Sequence, residues 1–174
     1  MKILIIAGMP GAGKEEFLLV AGSMGIPYVR MGDVVREAYS SLSDRGAGIG
    51  QFASGEREKF GKNIWAQRTI DRMSGEISLV DGCRSMDEVR SFREIGDDVL
   101  IIGIHSPPDV RYERLVKRGR EDAPRDVSEF NERDSREISW GLAEVLALSD
   151  VMLVNDSLLD EFRSVSAEML GAIR

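Results

Sequence analysis

The residues of this chain that could do chemistry begin with one lysine in a glycine-rich segment. Lys14 ends the segment Gly8-Met9-Pro10-Gly11-Ala12-Gly13-Lys14, which fits the phosphate-binding pattern G-x-x-x-x-G-K. Glycines at this spacing let successive backbone N–H groups turn toward one anion. A helix that begins at Lys14 adds its positive end, and the lysine adds a full charge. We therefore expect residues 8–15 to bind the phosphates of a nucleotide, with ATP as the expected ligand.

Glu15 stands where the full motif has a serine or threonine whose hydroxyl binds Mg²⁺. A carboxylate in the first turn of a helix is normally favourable, by about 0.3–1 kcal/mol. A carboxylate that faces a triphosphate is instead repelled by it, by about 4 kcal/mol for unit charges roughly 4 Å apart at an intermediate dielectric. Two alternatives follow: Glu15 turns away from the phosphates, or it meets them through the metal ion.

Two pairs of a carboxylate and an arginine follow apolar segments of the chain. The Gly-Asp or Asp-Gly step in each is by itself typical of a turn or a helix cap, and Gly32-Asp33 is predicted to cap the helix at 33–41. Beside a phosphate loop, arginines that bind bidentately indicate a second, anionic substrate. The expected acceptor-binding residues are Gly32, Asp33, Arg36, Asp81, Gly82 and Arg84. Asp81 also has the place of a Walker B carboxylate, so we expect Asp81 and Glu15 to bind the metal.

A charged segment around residue 120 is rich in arginine. We assign Arg118, Arg120 and Arg133 to the γ-phosphate, because arginines that close over a transferring phosphoryl group neutralise its charge. Acidic residues are interleaved with the other arginines of this region, a pattern typical of a solvated, ion-paired surface. That surface interpretation covers Arg111, Arg114, Arg125 and Arg136.

Composition limits the class of protein. The chain has 174 residues and a net charge of −7, which suits one domain and disfavours nucleic acid as a partner. Cys83 is the single cysteine, so no internal disulfide can form and a reducing cytoplasm is the expected location. The apolar run at 3–7 is too short for a signal peptide or a membrane span. Nothing in the sequence indicates a protein partner.

Short apolar segments alternate with helical patterns along the chain. Strands are predicted at 3–7, 27–31, 77–80, 99–104 and 151–154. Helices are predicted from 14, at 33–41, 51–59, 63–73 and 85–95, from 107, at 127–148 in one or two pieces broken at Trp140-Gly141, and up to 173. The alternation predicts an α/β fold with a five-stranded parallel sheet and helices on both faces. The chain then forms one domain with a helical acceptor-binding insertion at about 33–75 and a short lid at about 118–136.

The motifs together resemble nucleoside monophosphate kinases of the adenylate kinase type. The segments that carry the resemblance are G-M-P-G-A-G-K, M-G-D-V-V-R, V-D-G-C-R-S, R-L-V-K-R-G-R-E-D and V-N-D-S. The archaeal group of adenylate-kinase-related P-loop proteins is the most similar, over nearly the whole chain. The resemblance implies ATP and Mg²⁺ as cofactors, acceptor phosphate binding by Arg36 and Arg84, and contact of the segment from Asn155 with the donor adenine. It also implies lid arginines at Arg118 and Arg120, with Arg133 and, as an alternative to its surface role, Arg136 from the following helix. The chain departs from it in lacking the P-loop Ser/Thr and the usual Phe-Pro of the third motif, and in its short lid.

Several functions remain open at this point. The first is transfer of the γ-phosphoryl of ATP to a nucleoside monophosphate, achieved by positioning and charge neutralisation. If the acceptor is a hydroxyl instead, Asp33 is the expected base, a variant that resembles dephospho-coenzyme A kinase. The chain could also be a nucleotide-dependent regulatory switch, or a nucleotide-binding module with little activity because the P-loop hydroxyl is absent. A guanine-specific N-K-x-D motif is absent from the sequence, which disfavours a GTPase.

Overall fold

The computed structural model describes residues 1–42, 46, 48–120 and 123–173. The strands of this part are β1 Lys2–Ala7, β2 Tyr28–Arg30, β3 Ile77–Asp81, β4 Asp98–His105 and β5 Val151–Val154. Its first helices are α1 Lys14–Ser23, α2 Met31–Ser40, α3 Ile49–Phe60, α4 Ile64–Ile70 and α5 Met86–Ile95. The remaining helices are α6 Pro108–Arg118, α7 Val127–Ser139, α8 Leu142–Ala147 and α9 Leu159–Ile173. Within the same residues, no helix is long and apolar enough to cross a membrane.

The strands form one parallel sheet in the order β2-β3-β1-β4-β5. The predicted α/β fold with five parallel strands is thereby confirmed. β1 lies in the centre, where Ile6 is paired with Asp81 of β3 on one side and Ile102 of β4 on the other. Its continuous apolar sequence is what a strand covered on both faces requires. The carboxyl ends of β1 and β3 are therefore neighbours at one edge of the sheet.

Each face of the sheet carries its own hydrophobic core, because successive side chains of a strand point to opposite faces. Ile3 and Ile5 of β1 pack with Trp65 and Phe92, in a core formed by α2, α4, α5 and α8. Leu4 and Ile6 pack with Phe17 and Phe162, in a core formed by α1 and α9. Both cores hold the sheet between helical layers, which fixes the strand ends relative to one another.

α2 begins two residues earlier than the sequence predicts. β2 ends at Arg30 and the helix starts directly at Met31, without a side-chain cap. Met31 is 2% exposed, so its packing, rather than a capping side chain, fixes the start of the helix. The interpretation of Gly32-Asp33 as a cap is therefore wrong, and both residues lie in the first turn. α4 likewise ends at Ile70, before the predicted boundary at 73.

The predicted break near Trp140-Gly141 is confirmed. α7 ends at Ser139 and α8 starts at Leu142, and Gly141 between them has a φ of +107°, which only glycine adopts readily. A Cβ at Gly141 would lie 3.2 Å from the Arg84 carbonyl oxygen, so this junction packs closely against the end of β3. α2, α3 and α4 lie between β2 and β3 in the chain. The acceptor-binding role of 33–75 and the lid role of 118–136 stay predictions.

Candidate active site

A cleft of about 740 Å³ opens at the carboxyl ends of the strands. It brings most of the predicted site residues together. Those that line it are Gly8, Pro10, Gly11, Gly13, Lys14, Glu15, Gly32, Arg36, Asp81, Gly82, Arg84, Arg118, Arg120, Arg133 and Asn155. The predicted site residues that do not line the cleft are Met9, Ala12 and Asp33. Ala12 is buried within the loop, and Asp33 lies on the exposed side of α2.

The phosphate loop between β1 and α1 depends on two glycines with positive φ. Gly11 has a φ of +82° and Gly13 a φ of +109°. A Cβ at Gly13 would lie only 2.1 Å from the Asn155 side-chain nitrogen, so this position has no room for any other residue. α1 begins at Lys14 with no side-chain cap. The N–H groups of its first turn lack helical partners and point where an anion can bind.

Two residues far along the chain hold the carbonyl groups of this loop from outside. Arg111 donates from Nη1 to the Pro10 oxygen at 3.1 Å, and Asn155 donates from Nδ2 to the Ala12 oxygen at 2.8 Å. Arg111 is only 4% exposed, and its guanidinium binds Asp134, with Nη1 2.9 Å from Oδ1. The prediction of a solvated surface role for Arg111 is therefore wrong. Its spacing of four from the buried Leu115 on α6 is the signal that could have identified it.

The side chain of Asn155 is used within the fold. It is 4% exposed, and besides Ala12 it contacts Arg114, whose Nη2 donates to the Asn155 Oδ1 at 3.2 Å. Arg114 also donates to Ser106 and to the Asn155 carbonyl, so it is not part of a solvated surface either. Contact of this segment with an adenine stays a prediction, with Ser157 and Leu158 as the neighbouring residues that line the cleft.

Lys14 lies half-buried in the cleft, among several other charged side chains. Its Nζ donates to the Gly8 carbonyl oxygen at 2.6 Å. Burial lowers the pKa of Lys14 below its ordinary value, and the nearby Arg84 and Arg133 lower it further. The carboxylates of Asp81 and Glu137 act in the opposite direction. A phosphate bound beside Lys14 would favour the charged ammonium in the same way, which suits an anion site.

Glu15 faces Arg118 and Arg120, two arginines of the predicted lid. Its carboxylate accepts hydrogen bonds from Arg120 Nη2 at 2.8 and 2.9 Å, and Arg118 Nη1 lies 3.9 Å away. The hydrogen bond from Arg120 is the main reason why the pKa of Glu15 is lowered. To bind a metal ion, as the sequence suggested, this carboxylate would have to exchange Arg120 for the ion.

Asp81 has the properties of a metal-binding carboxylate. Its Oδ1 is buried and has no hydrogen-bond partner among the residues that the structure describes. A buried oxygen without a partner is costly, and a cation or its bound water would satisfy it. In the described part of the chain, no group of three His, Cys, Asp or Glu residues could hold an ion alone. This fits Mg²⁺, which commonly uses one or two carboxylates and completes its coordination with water and substrate phosphates.

Three arginines of the cleft, Arg36, Arg84 and Arg57, are each paired with a carboxylate. Arg36 pairs with Asp33 at the exposed start of α2. Arg84 Nε lies 3.0 Å from Glu137 Oε2, and Arg57 Nη2 lies 3.1 Å from Glu88 Oε1.

The charged residues that line the cleft without having been predicted there include Arg30, Arg57 and Glu137. Arg30 is the last residue of β2, as Asp81 is of β3, but the predicted strand at 27–31 placed Arg30 inside the strand and not at its end. The other two are helical residues amid charged neighbours, and nothing in the sequence distinguishes them.

The fold and the cleft define the class of protein. The phosphate loop between β1 and α1, beside a five-stranded parallel sheet, is that of a P-loop protein with a kinase-like fold. Residues 4–138 match a family model described as an AAA domain. A shikimate kinase from Bacteroides thetaiotaomicron has a similar fold, with a TM-score of 0.64 at 15% identity over 99% of this chain and 97% of that chain.

The sequence comparison identifies the family. The chain is 42% identical to the UPF0200 protein of Thermoplasma volcanium, over 97% of this chain and 96% of the relative. It is 41% identical to the UPF0200 protein of Sulfurisphaera tokodaii, over 99% and 98%. The chain therefore belongs to the UPF0200 protein family. The expected relation to archaeal P-loop proteins is confirmed, and the more specific relation to adenylate kinases stays a prediction.

Proposed function

We propose that this protein is a small-molecule kinase that transfers the γ-phosphoryl group of ATP to a nucleoside monophosphate. The observation that carries the proposal is that Lys14 and Arg84 face the same cleft from the ends of neighbouring strands. One residue suits the phosphates of a donor, and the other suits the phosphate of an acceptor. A nucleotide-binding module without an acceptor would not need the second group.

The residues on the ATP side of the cleft act by binding the phosphates and neutralising their negative charge. The loop N–H groups and Lys14 bind the β- and γ-phosphates, while Arg118, Arg120 and Arg133 neutralise the charge on the transferring group. Mg²⁺, held through Asp81, supplies further charge neutralisation at the phosphate oxygens when it is bound. No covalent intermediate is needed, since fixing two phosphates in line provides most of the catalysis.

The acceptor side favours a phosphate over a hydroxyl. A phosphate oxygen is already ionised, so it can attack without a general base. Transfer to a hydroxyl would use Asp33 as the base, but Asp33 is exposed, pairs with Arg36 and does not line the cleft. The alternative that resembles dephospho-coenzyme A kinase therefore has less support.

The test is a panel of acceptors incubated with ATP and Mg²⁺: the four nucleoside monophosphates, the corresponding nucleosides and dephospho-coenzyme A. We expect one monophosphate to be converted to its diphosphate, detected by chromatography and mass, and Lys14→Met to abolish the reaction. If ATP binds and no acceptor is phosphorylated, the kinase proposal fails. ATP hydrolysis unaffected by any acceptor would favour the regulatory switch instead.

A further inference from the structure

Arg84 is held in place from the junction of α7 and α8. Its Nε lies 3.0 Å from Glu137 Oε2, and its Cζ lies 4.7 Å from the centroid of the Trp140 ring. Its backbone N–H donates to Glu88 Oε2 at 2.7 Å. One edge and one face of the guanidinium are therefore fixed, together with the backbone beneath it.

These contacts leave the far end of the guanidinium available. Among the described residues, the hydrogen bonds and the ion pair of Arg84 use Nε and the backbone N–H. The Arg84 side chain is 38% exposed and lines the cleft. The two terminal nitrogens form a planar fork that matches two oxygens of one phosphate. The contacts thus fix Nε and one face of the guanidinium, and they leave its two terminal nitrogens able to bind an anion in the cleft.

The ion pair of Arg84 differs from that of Arg36 in which partner is buried. The Glu137 side chain is only 10% exposed, whereas both Asp33 and Arg36 are more than half exposed. A buried carboxylate that lost its arginine would be left with an uncompensated charge, at high cost. We therefore expect the Glu137–Arg84 pair to persist when an acceptor binds. The exposed Asp33–Arg36 pair can separate at little cost in free energy.

We propose that Glu137 and Trp140 are positioning residues that direct the terminal nitrogens of Arg84 toward a phosphate-sized anionic group of the acceptor. The proposal rests on the proposed function, in which Arg84 binds the acceptor. Neither residue needs to touch the acceptor, because both act through Arg84. The same helix, α7, carries Asp134, which holds Arg111 and through it the phosphate loop.

The chain contains a control ion pair outside the predicted substrate-binding regions. Lys2 Nζ lies 3.1 Å from Asp98 Oδ2, where β1 and β4 begin, at the opposite end of the strands from the cleft. Neither Lys2 nor Asp98 lines the cleft. Asp98→Ala thus removes an ion pair without changing a residue that we expect to bind a substrate.

The experiment compares Glu137→Ala, Glu137→Asp, Trp140→Leu and Asp98→Ala by steady-state kinetics. We expect Glu137→Ala and Trp140→Leu to raise the acceptor KM roughly tenfold or more with little change in the ATP KM. Glu137→Asp should recover part of the loss, and Asp98→Ala should leave both KM values unchanged. An unchanged acceptor KM in Glu137→Ala, or an equal rise in Asp98→Ala, overturns the positioning role.

A binding measurement separates this proposal from the kinase proposal. Titration with AMP and with inorganic phosphate, followed by the NMR signal of the Arg84 Nε–H group, needs no turnover. We expect the signal to shift on titration in the wild type, and the affinity for both anions to fall roughly tenfold in Trp140→Leu, which leaves no buried charge unpaired. Unchanged affinity in that variant overturns the positioning role even if the wild type phosphorylates a nucleotide. If no acceptor is phosphorylated but the affinity falls as expected, only the kinase proposal fails.

Discussion

Glu15 accepts two hydrogen bonds from one nitrogen of Arg120, at 2.8 and 2.9 Å, across the mouth of the cleft. The carboxylate stands at the motif position that normally carries a hydroxyl, and the arginine belongs to the segment expected to close over the γ-phosphate. The Glu15 carboxylate thus binds an arginine that we expect to bind the nucleotide. A γ-phosphate would compete with Glu15 for Arg120.

Glu15→Ser should improve the use of ATP. The change removes the carboxylate that competes with the phosphate for Arg120 and restores the hydroxyl of the motif, so we expect a lower ATP KM and greater Mg²⁺-dependent turnover. Steady-state kinetics at several Mg²⁺ concentrations measures both. Glu16→Ser is the control, because the neighbouring Glu16 pairs with Arg163 of α9 instead. A loss of Mg²⁺-dependent activity in Glu15→Ser would show that the carboxylate handles the metal.

The Glu15–Arg120 pair should also be visible in the dependence of stability on pH. Arg120 lowers the pKa of Glu15 below its ordinary 4.5 in the folded protein, so the pair stabilises the fold above that ordinary value. The contribution is lost as the pH falls through the lowered pKa. We expect wild type to melt above Glu15→Gln at pH 6, and the difference to shrink as the pH falls below 4.5. A difference that is independent of pH would exclude the ion pair as its cause.

Gly13→Ala should abolish ATP binding. An alanine there must adopt a φ of +109° and displace the Asn155 amide from Ala12, so the loop loses its shape as well as stability. Gly25→Ala is the matched control, because Gly25 also has a positive φ, +76°, but an added Cβ meets nothing within 4 Å. We expect the control to lose about 1–2 kcal/mol of unfolding free energy and to keep its ATP affinity. Calorimetric titration with ATP and denaturant unfolding measure the two effects, and tight binding by Gly13→Ala would contradict this account of the loop.

Asp134→Asn should destabilise the protein strongly. Arg111 is 4% exposed, and removing its carboxylate partner leaves a buried charge that costs about 3–5 kcal/mol. Urea unfolding measures the change in unfolding free energy. Asp160→Asn removes a carboxylate that is 96% exposed and 3.7 Å from Arg163, so it should change stability by less than about 0.5 kcal/mol. Equal effects of the two changes would mean that the Arg111–Asp134 pair is not a structural support of the loop.

The sequence alone predicts those residues of the site that lie at or directly after the ends of strands. Gly8 and Asp81 come at or next to the ends of apolar segments, so the period of the pattern places them at one edge of the sheet. The contacts that support the loop could not be predicted in this way. Arg111 and Pro10 are 101 residues apart, and Asn155 and Ala12 are 143 apart, so only the packed fold brings them together. The start of α2 at Met31 could not be predicted for a similar reason. Burial of Met31, which depends on the packed fold, fixes the start of the helix in the absence of a capping side chain.

The position of α7 has a thermodynamic consequence. This helix of 13 residues supports the phosphate loop through Asp134 and Arg111, and it contacts Arg84 through Glu137. Under the proposed function, conformational entropy that the helix loses when one substrate binds need not be lost again for the second. By linkage, we then expect each substrate to raise the affinity for the other by the same factor.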